Sequence, residues 1–326
     1  MRCILSDHTD PFFNLASEEV LLKSRSDDYF LLYRNVPTVI VGKHQNALAE
    51  LNLSYLREKG IRVARRISGG GTVYQDLGNL NFAFVTSGRV GELVDYRRYT
   101  QPIIGALARV GLDVTLGNHH ELLLGGKKIS GTASHVFKHR VLHHGTLLFS
   151  VLMDDLSFAL QAPEASFSDR GVRSVRSQVT NIADHLVDKM DLPDLQNLIL
   201  HHILDTMNGA RKSHFTPRDL DDINQLAKSR FSSWAWIFGY SPRYQFSKAL
   251  KSGTANISLH LNVEKGIIRE VNIDGDIHGG KDVRALQELL VGTIHDPETI
   301  RQRLSGIKVS DFIRGLGNEE FLSGMF

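Results

Sequence analysis

Four short segments of the chain hold side chains suited to chemistry. The first is RRISGGGTVYQDLGN, Arg65 to Asn79. Glycine loses the most conformational freedom on folding, so three in succession cost stability. Bare backbone at Gly69, Gly70 and Gly71 lets a ligand approach main-chain N–H groups, and Arg65, Arg66 and Ser68 add charge and a hydroxyl for a phosphate or carboxylate. For the glycines alone, a flexible turn or bulged hairpin is the simpler reading. The string fits neither a GxxxxGKS/T phosphate loop nor a GxGxxG dinucleotide turn. The second segment is GGKKISGTAS, Gly125 to Ser134. On an alternating strand one of Lys127 and Lys128 points inward, and a buried ammonium needs an anionic partner. The alternative is a solvated surface lysine. In the third, LHHGTLLFS from Leu142, adjacent strand residues face opposite sides, so His143 and His144 do not ligate one metal together. One core and one exposed histidine would serve equally. The fourth is RGVRSVRSQVTN, where Arg170, Arg173 and Arg176 recur every third residue. It reads as a mobile clamp on a phosphate-bearing ligand or as a solvated basic loop.

These segments need elements to position them, and the chain alternates helices and strands. Asn14 is expected to cap a helix to about Ser24, with Glu18 and Glu19 near its positive end. Phe30–Tyr33 and Thr38–Val41 read as a strand pair around Asn35-Val36-Pro37. Asn52 to Lys59 reads as a short helix closed by Gly60. Arg62–Arg66 and Leu80–Val85 read as strands flanking the glycine run, and Arg97 to Val110 as a helix stopped by Gly111. Glu121–Leu124 and Lys127–Ser130 flank the hairpin signal Gly125-Gly126. Leu142–Ser150 is a further strand. Gln161–Gln178 is polar, Arg-rich and aperiodic, as in a long functional loop. Helices follow around Leu195–Met207 and Pro217–Lys228. Beyond Trp234 and Trp236, Ala255–Val263 and Ile267–Ile273 read as a hairpin, with helical segments near 282–291, 297–305 and 309–315. The expected division is a large domain over 1–233, a linker over 234–246 and a small α+β domain over 247–326.

Composition excludes several classes. The 326 residues include 38 basic and 36 acidic, a net +2, which does not suggest an electrostatic nucleic-acid binder. No apolar run reaches the roughly 18 residues of a membrane-spanning helix. The first residues have neither a signal core nor an Arg-rich transit pattern, which points to the cytoplasm. One cysteine, Cys3, precedes every motif, so a mid-chain thiol nucleophile and a multi-cysteine zinc site are both excluded. Fifteen histidines include no HExxH, which disfavours a zinc hydrolase.

Taken together, RRxSGGGxVxxDLGN, KISG, HHGTLL and SVRSxVTN, with DPFFNLASEE and VGKHQN before them and WAWIFG after, resemble the lipoate–protein ligase family and the related lipoyltransferases. The resemblance spans nearly the whole chain. It implies an α+β fold like that of biotin ligases, a mixed sheet flanked by helices, with a small α+β accessory domain. It also implies activation of lipoate by ATP and Mg²⁺ to lipoyl-AMP, then transfer to a lysine on lipoyl domains of 2-oxoacid dehydrogenase complexes or on the glycine cleavage H protein. No nucleic acid or membrane is involved. Octanoyltransferases of related fold use a cysteine and are disfavoured.

Carried over by motif, Lys128 is the catalytic residue. The adenylate site comprises Arg66, Gly71, Thr72, Val73, Tyr74 and Lys128, with Glu121, Arg173 and Arg176. The lipoate site comprises Leu15 and Ala16, Arg66, Ser68, Gly69, Gly70, Lys128, Ser130, Gly131 and His144 or His143. The Arg170–Asn181 loop is expected to order over the adenylate. The chain departs from the family pattern at Gln75, where many relatives carry His, at His120-Glu121, where they carry Asn-Asp, and at His135, where an arginine is common. Glu121 keeps a carboxylate for Mg²⁺ or adenine. A transferase using preformed lipoyl-AMP or lipoyl-protein donors, or an idle lipoate-binding regulator, would share these motifs.

Overall fold

The computed structural model describes residues 1–88, 91, 93–161, 164–252 and 255–326. The chain forms two compact units, one of residues 1–43, 59–159 and 174–233, the other of 44–58, 160–173 and 234–326. Segments 44–58 and 160–173 thus leave the first unit to join the C-terminal one. Within the span expected as a linker lie a short helix, Trp234–Ile237, and the start of the strand Tyr244–Ser252.

The first unit is built on a six-stranded mixed sheet. From edge to edge it runs Thr132–Phe137, Arg140–Leu148, Asn79–Ser87, Tyr29–Tyr33, Arg2–Leu5 and Arg211–Ser213. The first four strands are antiparallel neighbours, and the last two join in parallel. Alternation along Leu80, Phe82 and Phe84 sends these side chains to one face. There they bury against Tyr99 and Ile103 of the helix Tyr96–Ala108 and Leu195 and Ile199 of the helix Leu192–Thr206. The helix Pro11–Ser24 contacts two of the central strands.

That helix starts earlier than expected. Asp10, not Asn14, is its cap, accepting from the N–H groups of Phe12 at 2.8 Å and Phe13 at 3.0 Å, with Pro11 at the first helical position. Asn14 is instead buried, its amide donating to Asn35 Oδ1 at 2.8 Å. Glu18 and Glu19 consequently lie mid-helix, away from the positive end, and both are buried. Their charges must be met by other side chains rather than by the helix terminus.

Two small sheets complete the unit. Thr38–Val41 lies between Arg62–Arg65 and Val73–Gln75. Phe30–Tyr33 and Thr38–Val41 therefore do not pair; each finds another partner, and a strand not foreseen, Val73–Gln75, follows the glycine run. In the other sheet Leu122–Leu124 and Lys127–Ser130 pair as the expected hairpin, with Gly125 (φ 57°) and Gly126 (φ 76°) both in the left-handed region that its two-residue turn requires.

The second unit holds an antiparallel sheet, Ser166–Asp169, Tyr244–Ser252, Ala255–Glu264 and Ile267–Gly275, over helices that include Val283–Leu290 and Asn318–Gly324. Ser166–Asp169 lies inside the stretch 161–178 expected as a loop, of which 162 and 163 fall outside the described residues. At the centre of the unit, buried His295 accepts from Tyr244 Oη at 2.7 Å and donates from Nε2 to the Met325 carbonyl at 2.6 Å. Burial pushes this imidazole down to about 4. An unfolded histidine titrates near 6.5, so its neutral-form contribution is full above that pH and is lost as pH falls towards 4. Both tryptophans lie in this unit, so their fluorescence reads its unfolding. Urea titrations followed by that signal should show about 2 kcal/mol less stability at pH 5 than at pH 7, a difference that His295→Gln removes.

Candidate active site

The glycine run is organised by one side chain. Arg66 is 7% exposed, and its guanidinium is spent on the loop that follows it. Nε donates to Ser68 Oγ at 3.1 Å and Gly69 O at 3.2 Å, Nη2 to Gly69 O at 2.6 Å and Gly71 O at 2.7 Å, and Nη1 to Ile40 O at 3.2 Å. The carbonyls of Gly69 and Gly71 are thus turned towards Arg66. Burial lowers the guanidinium to about 10, opposed by Glu18 and Tyr33, so it stays charged at neutral pH. Gly42 is as necessary as the triplet: a Cβ there would sit 2.1 Å from Gly70 O.

A chain of hydrogen bonds leads away from Arg66. Ser68 Oγ lies 2.6 Å from His144 Nε2, and His144 Nδ1 lies 2.9 Å from each Glu18 oxygen. Tyr33 donates to Glu18 at 2.8 Å. All five residues are buried. Burial and the Glu18 charge push the Tyr33 phenol well up, so Tyr33 acts only as a donor. Glu18 and Tyr33 were not singled out from the sequence. The available signal was the pair of carboxylates Glu18 and Glu19 set between Leu15-Ala16 and Val20-Leu21-Leu22, where a polar residue that is buried has to be paired.

His143 and His144 do face opposite ways. His143 stacks on Tyr99 with ring centroids 5.2 Å apart, and its Nδ1 meets Ser134 Oγ at 2.9 Å. Burial, aided by His144 and His120, takes it down to about 3, a neutral core imidazole. His144 is the histidine that joins the site.

Lys128 sits on the hairpin strand Lys127–Ser130 with its Nζ against Gly131, where a Cβ would lie 3.4 Å from it. Burial lowers this ammonium, Glu121 opposes the shift and Arg66 adds to it. Lys128 and Arg66 are thus close enough for their charges to interact. Among the described residues Lys128 Nζ makes no hydrogen bond or ion pair, and Ser130 Oγ is buried without a partner. Two unmatched polar groups beside a charged guanidinium form a place for an anionic, hydrogen-bonding ligand.

The remaining expected residues fall as follows. Leu15 and Ala16 are buried on the helix Pro11–Ser24. The Thr72 N–H donates to Ser174 Oγ at 2.9 Å, and Val73 and Tyr74 enter the strand after the loop. Residues 178–180 run along Lys128, whose N–H donates to Gln178 O at 2.8 Å and whose carbonyl accepts from Thr180 at 3.1 Å. Arg176 is exposed in that segment. Arg173 belongs to the second unit, where it pairs with Asp169 at 3.2 Å. Glu121 curls back, its Oε2 accepting from the His119 N–H at 2.8 Å. Neighbouring His120 stacks on Tyr96 at 3.8 Å. Gln75 is buried, accepting from Asn35 at 2.7 Å and Asn81 at 3.2 Å, so its substitution for His is absorbed by a buried amide ladder. Burial and the charges of Lys43 and Lys23 take His135 down to about 4.

Comparison with known proteins agrees with this geometry. Residues 10–204 match the lipoyl protein ligase A/B catalytic domain and 241–325 the bacterial lipoate protein ligase C-terminus. The chain is 36% identical over 317 residues to lipoate-protein ligase LplJ of Bacillus subtilis, covering 96% of each. It also resembles the solved structure of a lipoate-protein ligase A bound with ATP, with 27% identity, a TM-score of 0.64 and coverage of 73% of this chain and 98% of that one. A bipartite lipoate protein ligase from Thermoplasma acidophilum, studied with its E2 lipoyl domain, gives 25% identity, a TM-score of 0.65 and coverage of 73% and 96%. The fold and the matched catalytic domain define a ligase of protein lipoylation. Within that class the chain belongs to the lipoate–protein ligase family.

The close approach of Gly42 to Gly70 gives a direct test of the cradle. Gly42→Ala should destabilise the protein by about 1–3 kcal/mol, the usual cost of forcing extra volume into packed structure, measured by urea denaturation.

Proposed function

We propose that the enzyme joins lipoate to a lysine of acceptor proteins in two half-reactions, using lipoyl-AMP made from ATP. The observation that carries this reading is a half-buried Lys128 ammonium close enough to buried Arg66 for their charges to interact, Arg66 in turn bracing the glycine loop. In the first half-reaction the lipoate carboxylate attacks the α-phosphate and pyrophosphate leaves. In the second, the acceptor amine attacks the acyl carbon and AMP leaves. Negative charge grows on the phosphate in one and on the acyl oxygen in the other, and Lys128 would serve both. Preorganised charge of this kind is commonly the largest catalytic contribution. The lipoyl chain would lie over Leu15, Ala16 and the Gly69–Gly70 backbone, where each buried CH₂ contributes about 0.8 kcal/mol. Gly71, Thr72, Val73 and Tyr74 would present main chain to the nucleotide. Ser174 Oγ, which now holds the Thr72 N–H, would yield it to a phosphate oxygen. Arg176, exposed in the first unit, would close on the phosphate.

Among the described residues no group of three or more metal-binding side chains is present, but Mg²⁺ commonly uses one or two carboxylates plus substrate phosphates. Glu121 fits that mode: it is partly exposed and its charge reaches Lys128. The ion would neutralise phosphate charge there. The acceptors that suit the reading are lipoyl domains of 2-oxoacid dehydrogenase complexes and the glycine cleavage H protein.

Mass spectrometry of a purified lipoyl domain incubated with enzyme, lipoate, ATP and Mg²⁺ should show one added lipoyl group on lysine. Lys128→Ala should lose at least about 10²-fold in rate while its unfolding midpoint stays near wild type. Pyrophosphate release without acceptor distinguishes a ligase from a transferase that needs preformed lipoyl-AMP; its absence would leave only the transferase.

A further inference from the structure

The chemistry of the two half-reactions differs in one respect that the hydrogen-bond chain addresses. A carboxylic acid is already ionised at neutral pH and attacks phosphorus without help. A lysine is an ammonium with a pKa near 10.4 and has no lone pair until it gives up a proton. The second half-reaction therefore needs a proton acceptor, and the first does not.

We infer that Ser68, His144 and Glu18 form a proton-accepting relay for the acceptor lysine, with Glu18 as the residue that positions it. This rests on the ligase reading above. The direction of each hydrogen bond follows from the ends of the chain. Carboxylate Glu18 accepts only, so His144 Nδ1 carries the proton on that side, at 2.9 Å from both oxygens. In the neutral tautomer Nε2 is an acceptor, and Ser68 donates to it at 2.6 Å. Arg66 Nε donates only, and it occupies a lone pair of the same hydroxyl at 3.1 Å. Ser68 is thus held as a conduit with its proton already aimed at His144, and the flanking Gly69 and Gly70 backbone is accessible. The arrangement copies the nucleophile, base and orienting carboxylate of a hydrolase, but the guanidinium on the serine oxygen blunts its nucleophilicity. His135 and His143 also lie within range of His144; both are held uncharged by burial. Glu18 and Arg66 are then the fixed charges at the two ends of the chain.

The step balances as follows. The incoming ammonium passes one N–H proton to Ser68 Oγ as the serine passes its own to His144 Nε2. The freed amine forms the C–N bond to the acyl carbon, and the C–O bond to phosphate breaks. The second N–H proton leaves on the phosphate of AMP, and the imidazolium, stabilised by Glu18, returns its proton to water after product release.

Hydroxylamine separates this from a structural role, because it is an amine already unprotonated at pH 7. Three rates are measured for wild type and Glu18→Gln: pyrophosphate release, lipoyl hydroxamate formation with hydroxylamine, and transfer to a lipoyl domain. The variant should keep the first two within about threefold and lose about 10²-fold or more in the third, the range of general-base catalysis. If Glu18→Gln does not fold, the wild type decides: transfer to a lipoyl domain should slow more in D₂O than hydroxamate formation does, and equal solvent isotope effects would overturn the relay. Equal loss in all three assays would overturn the relay and leave the chain as scaffolding, and so would unchanged transfer to the lipoyl domain. A wild-type enzyme that releases no pyrophosphate would overturn the ATP-dependent reading alone; with preformed lipoyl-AMP as donor, the hydroxylamine and lipoyl-domain rates still decide the relay.

Discussion

The Arg66 guanidinium, buried and holding the carbonyls of its own glycine loop, is the interaction on which the rest of the site depends. A charge removed from water is expensive unless hydrogen bonds and an opposite charge meet it. Here the positive charge is shared among loop carbonyls, and the negative charge of Glu18 is held by an imidazole and a phenol. Removing either charge would leave the other buried and unmatched, which typically costs 3–5 kcal/mol. The helix Pro11–Ser24 is buried on nearly every side, with Glu18 meeting His144 of the central sheet and Glu19 meeting Arg230 and Lys23.

Charge also governs what the site can receive. Lys128 and Arg66 sit close enough to depress the lysine, and Glu121 only partly offsets this. Two cations held near each other repel, and an anion placed between them would relieve that repulsion, which is why a carboxylate or phosphate suits the site. Ser174 takes one main-chain donor in the meantime, so the Thr72 N–H is not left bare.

The sequence made much of this legible, and what it left dark has physical causes. Gly125-Gly126 between two apolar-rich runs predicts a hairpin because only a glycine turn tolerates two left-handed residues, and the strand Lys127–Ser130 follows. The opposite facing of His143 and His144 follows from strand alternation. Motif resemblance locates Lys128 and the glycine loop, but it could not show that Arg66 is engaged mainly with the loop itself. Asn14 was misjudged as a cap because capping propensity is local, whereas its amide is claimed by Asn35 across the sheet. The pairing of Thr38–Val41 with Arg62–Arg65 and Val73–Gln75 is long-range, and short apolar runs do not encode their partners. Residues 44–58 and 160–173 join the second unit for the same reason: Leu48 and Ala165 are as apolar as residues of either core.

A lone cysteine buried in the core sheet, with its thiol pushed up by burial, is chemically idle, so acyl transfer here proceeds without a thioester on the enzyme. An enzyme without its own nucleophile has to bring two substrates together and manage protons and charge between them. Fixed cations suit the first attack, which moves no proton. They hinder the second, because a positive site raises the cost of bringing in an ammonium. An imidazole backed by a buried carboxylate would resolve that conflict by taking up a proton without requiring the cations to move. The same short stretch of glycine loop can thus face an anion with its N–H groups and reach a proton acceptor through its serine.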